Sequence, residues 1–173
     1  MKLMDESVEE ATKDLHAWVL SVEPGQARLL LERLSKRAVG EGRDVLIANA
    51  DMLFGMDHLR SALYHAKKAM VEGTNASDSL AMETLLYASG EKQLSTAIRK
   101  MSVGDGTMEI IVAALHGRVD PEEGWVELPD VLAQSSRERL KRFGITEEEL
   151  RTSEGHPEEL VLERVAAVEV LKK

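Results

Sequence analysis

Met108-Glu109-Ile110-Ile111-Val112-Ala113-Ala114-Leu115 holds one charge in eight residues, and an apolar run this continuous predicts a strand buried on both faces, central in its sheet. Gly104-Asp105-Gly106 turns the chain into it and reads as a strand connector. Three helices are expected upstream. The nearest buries Leu94, Ala97, Ile98 and Met101. Before it, a helix runs from Leu80 to about Ala88, ends at Ser89-Gly90 and is preceded by Asn75-Ala76-Ser77-Asp78, whose side chains suit a cap. The third has the cleanest period in the chain, Leu59, Ala62, Leu63, Ala66 and Met70, and Gly73 closes it.

Further upstream, Leu15 to Val22 and Val45 to Ala50 are β-compatible runs on either side of another helix. In that helix Pro24 suits the first turn, Ala27, Leu30, Leu31, Leu34 and Ala38 recur at helical spacing, and Gly40 is expected as a left-handed stop. After the central strand come Ser135 to Phe143, the capping box Thr146-Glu147-Glu148-Glu149, and a Pro157-led helix through Val161, Val165, Val168 and Leu171. The expected fold class is α/β (α+β): a small mixed β-sheet packed with several helices and a helical C-terminal region. It is expected as one domain over residues 1–173, with a core at 14–118 and a helical extension at 119–173.

The 173 residues carry 22 basic and 31 acidic side chains, a net charge of −9, and no cysteine. That composition excludes disulfides, thiolate metal sites and cysteine nucleophiles. The N-terminal Met1-Lys2-Leu3-Met4-Asp5-Glu6-Ser7 turns acidic early, and no apolar run reaches a membrane span, so a cytoplasmic location is expected. Net acidity disfavours a surface that coats nucleic acid throughout. The charge is uneven, however: residues 1–57 sum to −4, 58–100 to +2, 101–118 to −1 and 119–173 to −6. The positive stretch includes Lys67, Lys68, Lys92, Arg99 and Lys100, with Asn75 and Gln93 near the same helix ends. It reads either as a solvated helical face or as a small site for phosphates and base edges.

Signatures of a reaction centre are missing. There is no phosphate-binding glycine loop, nucleophile elbow or paired-histidine metal motif. His58 and His65 are two helical turns, about 10 Å, apart and cannot share one ion. The pairs and triplets Glu122-Glu123, Glu147-Glu148-Glu149 and Glu158-Glu159 read as solvated helix starts. Asn75-Ala76-Ser77 has the form of a glycosylation sequon but is assigned to capping. Eight methionines fit core filling, and six aromatics are too few for a multi-base stacking platform. No metal and no cofactor are expected.

The segment Met82-Glu83-Thr84-Leu85-Leu86-Tyr87-Ala88-Ser89-Gly90-Glu91-Lys92-Gln93-Leu94-Ser95-Thr96-Ala97-Ile98 resembles the kinase-binding subunit of the KEOPS complex, the PRPK-binding protein (TPRKB) family with its archaeal and fungal relatives. The helix Asp57 to Ala66, then Gly73-Thr74-Asn75, and the closing Leu160 to Ala166 resemble the family in the same order, so the likeness spans most of 14–172. An archaeal-type member is indicated. The resemblance implies a non-catalytic subunit of the machinery that makes threonylcarbamoyladenosine at tRNA position 37. Such a subunit binds and stimulates the small atypical kinase/ATPase subunit and binds tRNA at its single-stranded 3′ CCA end. Where the family tends to carry arginine before the glutamine, Lys92 puts a point charge in place of a fork.

On this reading Lys67, Lys68, Lys92 and Arg99 meet phosphates or terminal nucleotides, while Asn75 and Gln93 read base edges. The kinase is expected on exposed apolar positions around Leu59, Leu63, Met70, Val168 and Leu171. Two alternatives stay open. One is a purely structural adaptor without RNA contact; the other is a small α/β hydrolase using strand ends near Asn49, Asp51 and His116.

Overall fold

The computed structural model describes residues 6–41, 44–130, 137–153 and 156–172. In chain order these form α1 (Glu6–Ala11), β1 (His16–Ser21), α2 (Ala27–Gly40), β2 (Val45–Asn49) and a single 3-10 turn at Ala50–Met52. Then follow α3 (Met56–Glu72), α4 (Leu80–Ser89), α5 (Leu94–Met101), β3 (Glu109–Ala114), β4 (Val126–Glu127), α6 (Arg137–Phe143), α7 (Glu147–Thr152) and α8 (Pro157–Leu171).

The sheet order is β2-β3-β1-β4, with β3 inside as its composition predicts. Val112 sits opposite Trp18 on one side and Ile47 on the other. The fold class is the expected α+β. The sheet differs in one respect from the mixed sheet expected: each hydrogen-bonded pair is antiparallel, because β3 lies between β1 and β2 and separates the two strands that flank α2. The short β4, unforeseen in a stretch that reads as helical, pairs with Trp18 and Val19 at the edge. The short α1 is likewise unforeseen.

Alternation along the strands sends side chains to two unequal faces. Ala17, Leu46, Ala48, Ile111 and Ala113 join the larger core, which includes Leu59, Leu63, Leu86, Phe143 and Val165 from the helices. Leu20, Ile110 and Val112 face Ala27 and Leu34 of α2. Both faces are therefore covered, one by several helices and one by α2. On the α2 side Glu122 accepts from Arg33 at 2.8 Å and from Arg37 at 2.8 Å, pinning its loop; it is not the helix start expected of Glu122-Glu123.

Helix ends show where local chemistry decides. Gly73 and Gly90 take left-handed φ values of 72° and 70°, Thr146 and Glu149 form the capping box, and Pro157 opens α8. Pro24 instead precedes α2, whose N-cap is Gln26, and Gly40 stays helical with Glu41 as C-cap. No left-handed stop is needed there, because the Glu41 amide closes onto Arg37 in right-handed geometry. The cap of α4 is Ser79, which accepts from the Met82 amide, and not a residue of 75–78. Ser135, the expected onset of α6, lies outside the described residues.

Candidate functional site

The segment from Ser79 to Ser102 builds a helical hairpin whose turn is tightly fixed. Ser89 is buried; its Oγ donates to Leu86 O and accepts from the Glu91 amide. Gly90 follows in the left-handed region, against α8: a Cβ there would lie 3.1 Å from Cβ of Arg164. Lys100 reaches back from α5, donating to Ser89 O at 2.6 Å, to Glu91 at 3.2 Å and to Phe143 O. Its ammonium thereby satisfies carbonyls at the C-terminal ends of α4 and α6 together. Burial pushes the Lys100 ammonium below its ordinary range.

Outside this fixed turn, Lys92 and Gln93 are exposed, and Ser95, Ile98, Arg99 and Ser102 form the outward stripe of α5. Ile98 is 44% exposed, correcting its expected place in the core. The buried side of α5 is narrow, made by Ala97 and Met101. Most cations of the described residues are engaged internally. Lys92 and Arg99 are not: with Lys36 and Arg151 they form no side-chain hydrogen bond or ion pair among the described residues.

The other candidates for RNA contact sit elsewhere. Lys67 donates to Ala11 O at 2.6 Å and fastens α1, and Lys68 pairs with Glu169 of α8 at 2.8 Å. Asn75 is half-buried, donating to Ser77 O across the loop before α4. Asn75 and Gln93 thus stand at opposite ends of the ten-residue α4, about 15 Å of helix apart. Lys92, Gln93 and Arg99 are exposed within residues 92–99, whereas Lys67, Lys68 and Asn75 each bond to a different part of the fold.

The partner positions need correction. Leu59, Leu63 and Val168 are fully buried, where they pack α3 and α8 into the main core, so they offer no exposed surface. A helical stripe cannot both fill a core and face solvent, and here it fills the core. Met70 is half-buried, because Ala69 takes the inward position. Leu171 is 52% exposed, beside Val170 at 72%, and Val71 of α3 is 88% exposed. The Lys68–Glu169 pair brings the ends of α3 and α8 together, so these three apolar side chains lie at one end of the molecule.

The hydrolase constellation is not assembled. Asn49 Oδ1 accepts from the Asp51 amide after β2, whereas His116 bonds Asp44 before β2 at 2.7 Å. Five extended residues, about 16 Å, separate those ends. Among the described residues no group of histidines and carboxylates could hold a metal ion, and no helix is long and apolar enough to cross a membrane.

Of the two α3 histidines, His58 is buried and His65 is partly buried. His58 Nδ1 accepts from the Phe54 amide at 3.1 Å, and Nε2 donates to Ala88 O at 2.7 Å. This fixes a neutral ring, and burial pushes its pKa down to about 4. His65 stacks on Tyr87 with centroids 5.5 Å apart. Sequence reasoning also misses Glu83 and Lys172, which meet in the interior at 2.6 Å. A glutamate inside the apolar run Leu80 to Ala88 is the signal for the first.

The arrangement leaves the cations Lys92 and Arg99 exposed at α5 and its start, and the apolar side chains Val71, Val170 and Leu171 exposed at the ends of α3 and α8. A comparison with curated proteins finds no match to the chain. The family described as kinase binding protein CGI-121 matches over residues 8–168, a span that includes the sheet, the α4–α5 hairpin and nearly all of α8. The chain belongs to the CGI-121 family of kinase binding proteins.

Proposed function

We propose that the protein is the non-catalytic kinase-binding subunit of a KEOPS-type tRNA-modification complex, serving threonylcarbamoyladenosine formation at tRNA position 37. It binds and stimulates the small atypical kinase/ATPase subunit and binds tRNA at the single-stranded 3′ CCA end. The observation that carries the RNA part is the pairing pattern: in an acidic chain, Lys92 and Arg99 remain unengaged beside exposed Gln93. Cations without internal partners release counterions when they meet phosphate, which makes binding favourable and salt-dependent. Lys67, Lys68 and Asn75 contribute only after exchanging their internal partners.

What supports the kinase part is the family membership together with the exposed apolar end at Val71, Val170 and Leu171. A stable partner needs such a patch at the centre of its contact.

The test is a binding titration with intact tRNA and with the same tRNA lacking its 3′ CCA, at two salt concentrations. Salt-sensitive binding that disappears with the trimmed tRNA is expected. Binding to neither RNA removes the RNA part and leaves a protein adaptor. In a parallel measurement Leu171→Glu should abolish association with the kinase subunit, and unchanged association would move that surface elsewhere.

A further inference from the structure

The Glu83 carboxylate on α4 is completely buried. Its Oε2 accepts from the amides of Ala76 at 2.9 Å and Ser77 at 3.0 Å, and its Oε1 accepts from Lys172 Nζ at 2.6 Å. The Lys172 side chain is only 4% exposed and lies 4.6 Å from the Tyr87 ring centroid. Burial is the largest single influence and would lower its ammonium, but Glu83 and Tyr87 together outweigh it and leave it raised. Among the ion pairs of the described residues this is the one with both members buried. A single carboxylate therefore joins the end of α8, the first turn of α4 and the loop that carries Asn75.

Stability alone does not account for such a pair, since a well-packed apolar pair in its place is often as stable or more so. What the pair creates is dependence: removing one member leaves a charge buried without its counterpart. With Lys172 seated, the carboxylate is compensated and holds two loop amides. With Lys172 withdrawn, the uncompensated carboxylate favours an open loop, because Thr74, Ala76, Asp78 and Ser79 are already exposed and opening lets water reach it.

We propose that Glu83 and Lys172 form a latch coupling the end of α8 to the Asn75 loop. A protein partner bound over Val71, Val170 and Leu171 holds Lys172 seated and orders residues 74–79; a chain without the partner samples the open loop more often. Coupling of this kind is reciprocal, so a ligand that orders the loop also favours the partner. The link to RNA and kinase rests on the function proposed above, whereas the latch itself does not.

The test is amide hydrogen exchange on the full chain, comparing wild type, Lys172→Met and the double variant Glu83→Gln with Lys172→Met. In Lys172→Met the Ala76 and Ser77 amides should exchange about tenfold faster, while the β3 amides stay protected. The neutral double variant should return close to wild type, since no charge is left buried. Unchanged exchange at Ala76 and Ser77 in Lys172→Met overturns the latch, and so does equal acceleration in the double variant. Adding the kinase subunit should slow exchange at these two amides in wild type and not in Lys172→Met; bound kinase with no such slowing overturns the coupling. A chain that binds no kinase faults the proposed function, and the first two comparisons still decide whether the latch exists.

Discussion

Arg99 projects from the outward stripe of α5, while the next residue, Lys100, drives its ammonium into the junction of α4, α5 and α6. The same division runs through the whole basic stretch: Lys67 and Lys68 are tied to Ala11 and Glu169, and Lys92 is not tied at all. Charge summed along a sequence counts these residues equally. Their fates depend on whether a carbonyl or carboxylate lies within reach, and an engaged member must give up an internal bond before it meets a ligand.

The largest effect expected from this contrast is at Lys100. Lys100→Met keeps the alkyl packing but strands the Ser89 and Phe143 carbonyls and removes the cation from the Phe143 ring, 3.9 Å away. A loss of about 3 kcal/mol is expected, read from the urea midpoint at constant slope. A loss under about 0.5 kcal/mol would mean that Lys100 is no more engaged than its neighbour, and the contrast would collapse.

Next comes His58, another titratable group held inside. The folded-state pKa is pushed from 6.5 to about 4, chiefly by burial. Between those values the unfolded chain binds the proton more readily, so stability is complete above pH 6.5 and falls as pH drops toward 4. The full interval corresponds to about 3 kcal/mol. Burial lowers His65 too, which adds a loss of the same sign. Urea midpoints at pH 7, 6 and 5 should decline steadily in wild type and less steeply in His58→Asn; a flat profile would contradict the neutral ring.

The legible parts of this protein are those set by local pattern. The apolar run 108–115 announces a central strand, and the stripe through Leu59, Ala62, Leu63 and Ala66 announces α3. Gly73, Gly90 and the Thr146–Glu149 box act within one turn of chain and are readable for that reason. Strand order is not, because β3 enters between β1 and β2 through pairings about 65 and 95 residues distant in sequence. The site is half legible. The segment around Met82 to Ile98 points to the α4–α5 hairpin, but its buried residues serve the fold, Ser89 and Gly90 in the turn and Glu83 and Tyr87 in the core, and the exposed side chains begin at Lys92. The internal engagement of Lys67, Lys68 and Lys100 depends on α1, α8 and α6, which sequence distance conceals.

The smallest effect on stability is expected where the effect on function is sharpest. Lys92 and Arg99 form no internal hydrogen bond or ion pair through their side chains, so Lys92→Glu with Arg99→Glu should leave the urea midpoint within about 0.5 kcal/mol of wild type. The same change should weaken tRNA binding and lower the slope of log affinity against log salt by about two, one for each cation withdrawn from a phosphate. Lys67→Met is the matched opposite: losing the bond to Ala11 O should cost about 1 kcal/mol by releasing α1, with the salt slope unchanged. If Lys67→Met lowered the slope while the α5 double variant did not, the two groups would exchange roles, and the RNA surface would lie along α3 beside the Asn75 loop.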